Sequence, residues 1–141
     1  MVRDRAPKDP KRELALYEQA CDGGDLSTCN LLGIKYQGSG PADEARSVTA
    51  FQKACDGGDL QGCRAVATAY QFGMGAPKDL ERAATLYQQA CDKGSGQSCD
   101  LLGELYEKGS GVPRDVARAT AFFKQACDAG WTKACRRPNL K

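Results

Sequence analysis

The chain has 141 residues, of which 41% are apolar, 7% aromatic and 27% charged, and its 20 Lys and Arg against 18 Asp and Glu give a formal net charge of +2. Both signs are mixed along the chain without a long basic run, so the electrostatic footprint of a nucleic-acid binder is missing. No apolar run approaches the ~18 residues needed to cross a bilayer, which excludes membrane insertion by a helix. A mean hydropathy of −0.54 with so few aromatics argues against one thick core.

Residues 1–8 hold no apolar stretch of the kind a secretory leader needs and read as a flexible arm. From Asp9 onward one phrase keeps returning: Ala20 to Cys29, Ala54 to Cys63, Ala90 to Cys99 and Ala126 to Cys135. Its first cysteines stand at 21, 55, 91 and 127, so the step is 34, then 36, then 36 residues, the period of a helical-hairpin array. Stacked hairpins bury a thin continuous seam between neighbours, which suits a chain rich in Ala, Leu and Tyr at helical spacing.

Twelve residues before each first cysteine stands Asp (Asp9, Asp43, Asp79, Asp115), nine before it Arg (Arg12, Arg46, Arg82, Arg118), and four before it an aromatic (Tyr17, Phe51, Tyr87, Phe123). These offsets fit one helix, here helix B, capped by Asp and predicted over about 10–22, 43–56, 79–92 and 115–128. In the first copy Pro10 follows the cap, at the position where a helix tolerates proline. Helix B ends at Asp22-Gly23-Gly24 and its counterparts, where glycine can take a left-handed cap. Asp25, Asp59 and Ser95 are then placed to cap helix A, which carries Leu32, Val66 and Leu102 four residues before Tyr36, Tyr70 and Tyr106. Helix A stops at a Gly-x-Gly beginning at Gly38, Gly73 or Gly109, followed by Pro41, Pro77 or Pro113.

The expected fold is therefore an all-α solenoid over 9–136. It comprises a lone helix B at 9–22, repeats at about 25–56, 59–92 and 95–128, and a partial helix A at 131–136, with a tail at 137–141. The tail serves as a polar cap on the last repeat, or the natural protein continues beyond it.

Every cysteine belongs to the recurring phrase. Eight residues along one helix is ~12 Å, whereas bridged Cα atoms lie within about 7 Å, so the two cysteines of a pair cannot bond within a single helix. The midpoint of Cys55 and Cys63 is Asp59, just past the glycine turn, which sets both thiols at similar heights on two antiparallel helices. The pairs expected are Cys21 with Cys29, Cys55 with Cys63, Cys91 with Cys99, and Cys127 with Cys135. Zinc is the weaker reading: the chain has no His, and each pair is a whole repeat from the next. Disulfides imply an oxidising compartment, so a periplasmic or secreted protein is expected whose leader is absent from this sequence.

The segment Ala69 to Asp92, repeated over 101–128, resembles the Sel1-like repeat family, and within it the disulfide-rich branch of the Helicobacter cysteine-rich proteins. The 36-residue step, the Gly-x-Gly break and the eight-residue cysteine step carry the likeness over residues 9–135. The first repeat departs from it by two residues between Gly38 and Asp43. The resemblance implies a superhelix of hairpins whose concave face, lined by helix A, holds a peptide or a partner protein. It also brings the penicillin-binding or weak β-lactamase activity described for some members of that branch.

The residues offer little for catalysis. None of Ser27, Ser39, Ser47, Ser95, Ser98 or Ser110 has Lys three positions on, there is no His for a metal site, and bridged cysteines leave no thiolate. Asp100 and Glu104 lie one turn apart, which suits a solvated helix face better than a general acid and base pair. The expectation is a peptide- or protein-binding scaffold without catalysis or cofactor, monomeric. Its alternatives are a β-lactam-binding or weakly hydrolysing protein, and an assembly or redox factor of the mitochondrial intermembrane space, where haem ligation would fall to Met74, Tyr or Cys. The candidate contact residues are those of helix A that vary between copies while facing away from the seam: Asn30, Arg64 and Asp100; Ile34, Thr68 and Glu104; and Gln37, Gln71 and Glu107. They run from polar or basic to acidic along the array.

Overall fold

A computed structural model describes residues 9–138; the 1–8 arm and the last three residues of the expected tail lie outside them. The described chain is a run of eight helices: α1 (Pro10–Asp22), α2 (Leu26–Tyr36), α3 (Pro41–Asp56), α4 (Leu60–Phe72), α5 (Leu80–Asp92), α6 (Gly96–Lys108), α7 (Val116–Asp128) and the single turn α8 (Thr132–Cys135). Each packs on the helices before and after it in sequence. Helices α2, α4, α6 and α8 are the A helices, and α1, α3, α5 and α7 the B helices. The fold is an all-α solenoid of helical hairpins cross-linked by disulfides.

Side chains at the helix starts explain where the chain turns. Asp25, Asp59 and Ser95 accept from the backbone N–H of Thr28, Gly62 and Ser98, and Asp9, Asp79 and Asp115 from those of Lys11, Arg82 and Arg118. Asp43 is a correction. Helix α3 starts at Pro41 with Gly40 as its cap, and Asp43 lies inside the first turn, where it pairs with Arg46 at 2.7 Å. The two-residue deletion accounts for this: α2 ends one half-turn early, the loop shrinks to Gln37–Gly40, and α3 begins a turn early to meet it.

At the B-to-A turn only the second residue of each cap has a left-handed backbone, with φ of 99° to 104° at Gly24, Gly58, Gly94 and Gly130. The preceding position stays in or near the right-handed region, which is why Lys93 and Ala129 can stand where Gly23 and Gly57 do. In that tight hairpin the four expected pairs are bonded, with Cα–Cα distances of 4.7, 4.4, 4.7 and 4.8 Å in chain order. All eight cysteines are accounted for, so no thiol is free.

Among the described residues most of the buried side chains gather into two clusters, with Phe51, Cys63, Val66 and Ala69 buried between them. Cys21, Cys29, Leu32, Tyr36, Ala50 and Ala54 make the first, among α1 to α3. The second runs from α4 to α8 and includes Tyr87, Leu102, Leu105 and Phe123, each at most 2% exposed. Burying side chains of this size stabilises by roughly 1.5–3 kcal/mol apiece. Between the clusters lies the junction of α2, α3 and α4, where a cavity opens.

Candidate ligand-binding face

The cavity at this junction has a volume of about 270 Å3. Ile34 of α2 and Gln37 at its end, Val48 and Phe51 of α3, and Arg64 and Thr68 of α4 line it, together with Glu44, Gln61 and Met74. Phe51 forms a buried floor, while Ile34 and Met74 remain 50% and 48% exposed. Apolar side chains of this size left half in water at a concave opening are the usual lining of a binding pocket. Met74 is held there by its loop: its N–H donates to the Ala69 carbonyl, and Gly75 beside it has φ of 81° and presses against the Glu44 carbonyl so closely that a Cβ would collide with it.

Four of the nine expected contact residues, Ile34, Gln37, Arg64 and Thr68, thus face one cavity. The other five are placed differently. Gln71 Oε1 accepts at 2.8 Å from the Tyr87 hydroxyl, whose oxygen also lies 2.8 Å from Thr68 Oγ1, itself a donor to the Arg64 carbonyl at 3.0 Å. Burial is the first cause of a Tyr87 phenol pushed above the usual tyrosine range, with the Thr68 hydroxyl contact and nearby Arg64 pulling the other way. Asn30 is only 7% exposed; its Nδ2 donates to Asp59 Oδ1 at 2.9 Å, and its Oδ1 finds no partner among the described residues. Glu107 is half-buried, and its backbone carbonyl accepts from Arg114 Nε.

Asp100 and Glu104 are covered from the C-terminal side. Arg137 donates from Nε and Nη2 to the two Asp100 oxygens at 2.8 and 3.0 Å and from Nη2 to Glu104 at 3.1 Å, and its guanidinium lies 3.8 Å from the Phe123 ring centre. The hydrogen bonds to Asp100 hold the Arg137 pKa above the ordinary arginine value. One guanidinium pairs with both carboxylates, an arrangement unlike a general acid and base, which needs the two groups to differ in protonation.

The recurring arginines of helix B also find a place that sequence reasoning left open. Arg82 and Arg118 stack over the Tyr70 and Tyr106 rings at 4.9 and 5.0 Å, joining the start of each B helix to the end of the A helix before it. The constant 12-residue spacing of Tyr and Arg in these two repeats was the available signal. The cavity walls contributed by α3 and by Met74 had a weaker one, the two-residue deletion that shifts α3 against α2. Among the described residues no group of three or more His, Cys, Asp or Glu is placed to hold a metal ion, and no helix is long and apolar enough to cross a membrane.

Comparison with known proteins places this geometry. The Sel1 repeat matches residues 4–25, 27–59, 60–95 and 96–131. The fold is shared with c5321, a protective antigen of uropathogenic Escherichia coli strains, at 24% identity and a TM-score of 0.77 over 86% of this chain; the chain spans 26% of that protein's length. Cysteine rich protein B of Helicobacter pylori is 28% identical, with a TM-score of 0.69 over 89% of this chain and 91% of its own. A Sel1 repeat protein of Oxalobacter formigenes is 26% identical, with a TM-score of 0.74 over 92% and 97%. No curated sequence relative matches. Repeats that match nearly end to end, on a hairpin array stapled at every B-to-A turn, settle the relationship: this chain belongs to the Sel1 repeat family.

Proposed function

We propose that the chain is a non-catalytic scaffold that binds a peptide or protein segment along its helix A face. Four disulfides and a Sel1-repeat array fit a protein-binding role in an oxidising compartment, and we assign it to a periplasm or to the secreted fraction. One observation carries the reading. The cavity between α2 and α4 leaves Ile34 and Met74 half exposed over a buried Phe51 floor.

Disulfides suit this role physically, because a surface held rigid before binding loses less conformational entropy on association. Selection of a random peptide library displayed on phage against the oxidised protein tests the proposal. Enriched peptides should bind the unaltered chain and lose most of their affinity to a Thr68→Trp variant, whose indole fills the cavity. Peptides that bind both proteins equally, or no enrichment at all, would contradict it.

A further inference from the structure

In the first three cysteine pairs the residue after the second cysteine stands at one shared position of an A helix: Asn30 in α2, Arg64 in α4, Asp100 in α6. Two of the three reach across to what comes next in the array. Asn30 donates to Asp59, the cap of the following A helix, and Asp100 takes the fork of Arg137, beyond α8. Arg64 is the exception. Its backbone carbonyl accepts from Thr68, but among the described residues its guanidinium has no ion pair and no hydrogen bond. It is half-buried at the edge of the cavity, one turn from Thr68 and with the exposed apolar side chains of Ile34 and Met74 on the same opening.

We infer that Arg64 is the anion contact of the cavity, which takes a peptide segment bearing an apolar side chain next to an acidic residue. This rests on the scaffold reading above and names its ligand chemistry. Internal symmetry supports the first half: at the same position the flanking repeats hold a side chain paired within the chain, Asn30 Nδ2 on Asp59 and Asp100 on Arg137, so the partly desolvated cation at Arg64 is the member whose partner comes from outside. The planar fork of arginine matches a carboxylate in two hydrogen bonds, and a half-buried site screens that pair less than open water does. The second half follows from the lining. Ile34, Val48, Phe51 and Met74 supply apolar contact, and the thioether of Met74 adapts to aliphatic or aromatic side chains. Glu44 on the α3 wall has the opposite sign and disfavours an acidic group there, so the ligand's carboxylate is directed to the α4 side.

The test uses the oxidised full chain and four defined probes: acetyl-Gly-Ser-Phe-Glu-Ser-Gly-amide and its counterparts with Phe-Gln, Phe-Lys and Ala-Glu at the centre. Binding is followed by amide chemical shifts. The Phe-Glu probe should bind about ten-fold more tightly than the Phe-Gln probe, and the Phe-Lys and Ala-Glu probes should be weaker still. Perturbed amides should centre on Ile34, Val48, Arg64 and Met74. Arg64→Gln should erase the preference for Glu over Gln, and Arg64→Glu should turn it toward Lys, with both variants keeping the unperturbed spectrum elsewhere.

Equal affinity for the Glu, Gln and Lys probes would overturn the inference. If phage-selected peptides still lose affinity to Thr68→Trp, the scaffold reading survives that result. Shifts centred on Asp100 and Glu104 instead would also overturn it.

Discussion

The first and third repeats are built on the same buried frame and end with opposite surfaces. In both, a glycine on the A helix lets a phenylalanine ring lie flat against the backbone: a Cβ on Gly33 would stand 2.7 Å from Phe51, and one on Gly103 2.5 Å from Phe123. Above Phe123 the frame is covered by Arg137, held by Asp100 and Glu104; above Phe51 it is open, with Ile34 half exposed. The middle repeat is closed in a third manner, by the Tyr87 hydroxyl on Thr68 and Gln71. Frame residues fix where the A helix lies, and one or two variable side chains decide whether the surface above it is covered or open.

The largest test of that comparison removes the frame itself. Each disulfide closes a short loop and contributes roughly 2–3 kcal/mol in the chain-entropy account, so reducing all four approaches the whole stability of a small domain. Circular dichroism with and without reductant should show the helical signal melting at far lower temperature, or lost at room temperature. Replacing both partners of one pair, Cys91→Ser with Cys99→Ser, should cost only that one share. Next come Gly33→Ala and Gly103→Ala, each expected to lose about 1–3 kcal/mol in urea denaturation because an added methyl meets a buried ring. If only one did, the two repeats would not share a frame.

The covering side chains should have smaller and unequal effects. Arg137→Ala leaves the Asp100 carboxylate, 12% exposed, without its partner and should cost about 1–3 kcal/mol, whereas Ile34→Ala at the open end should change stability by less than about 0.5 kcal/mol. Equal losses at the two ends would remove the distinction between them.

Tyr87→Phe, which makes the middle repeat resemble the first, should cost about 0.5–1.5 kcal/mol. Its pH dependence follows from the raised phenol pKa. The neutral form is favoured in the folded chain, so the associated stability is intact below about pH 10, the unfolded value, and is lost as pH rises through the folded value. The melting temperature of the unaltered protein should therefore fall more steeply above about pH 10 than that of Tyr87→Phe.

The repeated parts of this protein were legible because they recur. Helix caps, glycine turns, cysteine pairs and the aromatic floor each appear at fixed offsets, and a position that returns in several copies reports on backbone geometry. What the sequence concealed lies where copies differ. Asp43 occupies the position of three capping aspartates, yet the two-residue deletion moves the start of α3 to Pro41 and takes that role away. Asn30 and Asp100 read as outward-facing from helical phase alone, but the neighbouring Asp59 and Arg137 cover them, and phase within one helix carries no information about the next one. Arg64 shares their phase, but among the described residues no such neighbour pairs with its guanidinium.

The most direct test of the central claim, that the opening between α2 and α4 is the ligand site, is amide chemical-shift mapping of a phage-selected peptide on the oxidised chain. The account predicts perturbations confined to Ile34, Gln37, Val48, Arg64, Thr68 and Met74, with Asp100, Glu104 and Arg137 unmoved. Perturbations that displace Arg137, or that fall on the B helices away from the cavity, would contradict it.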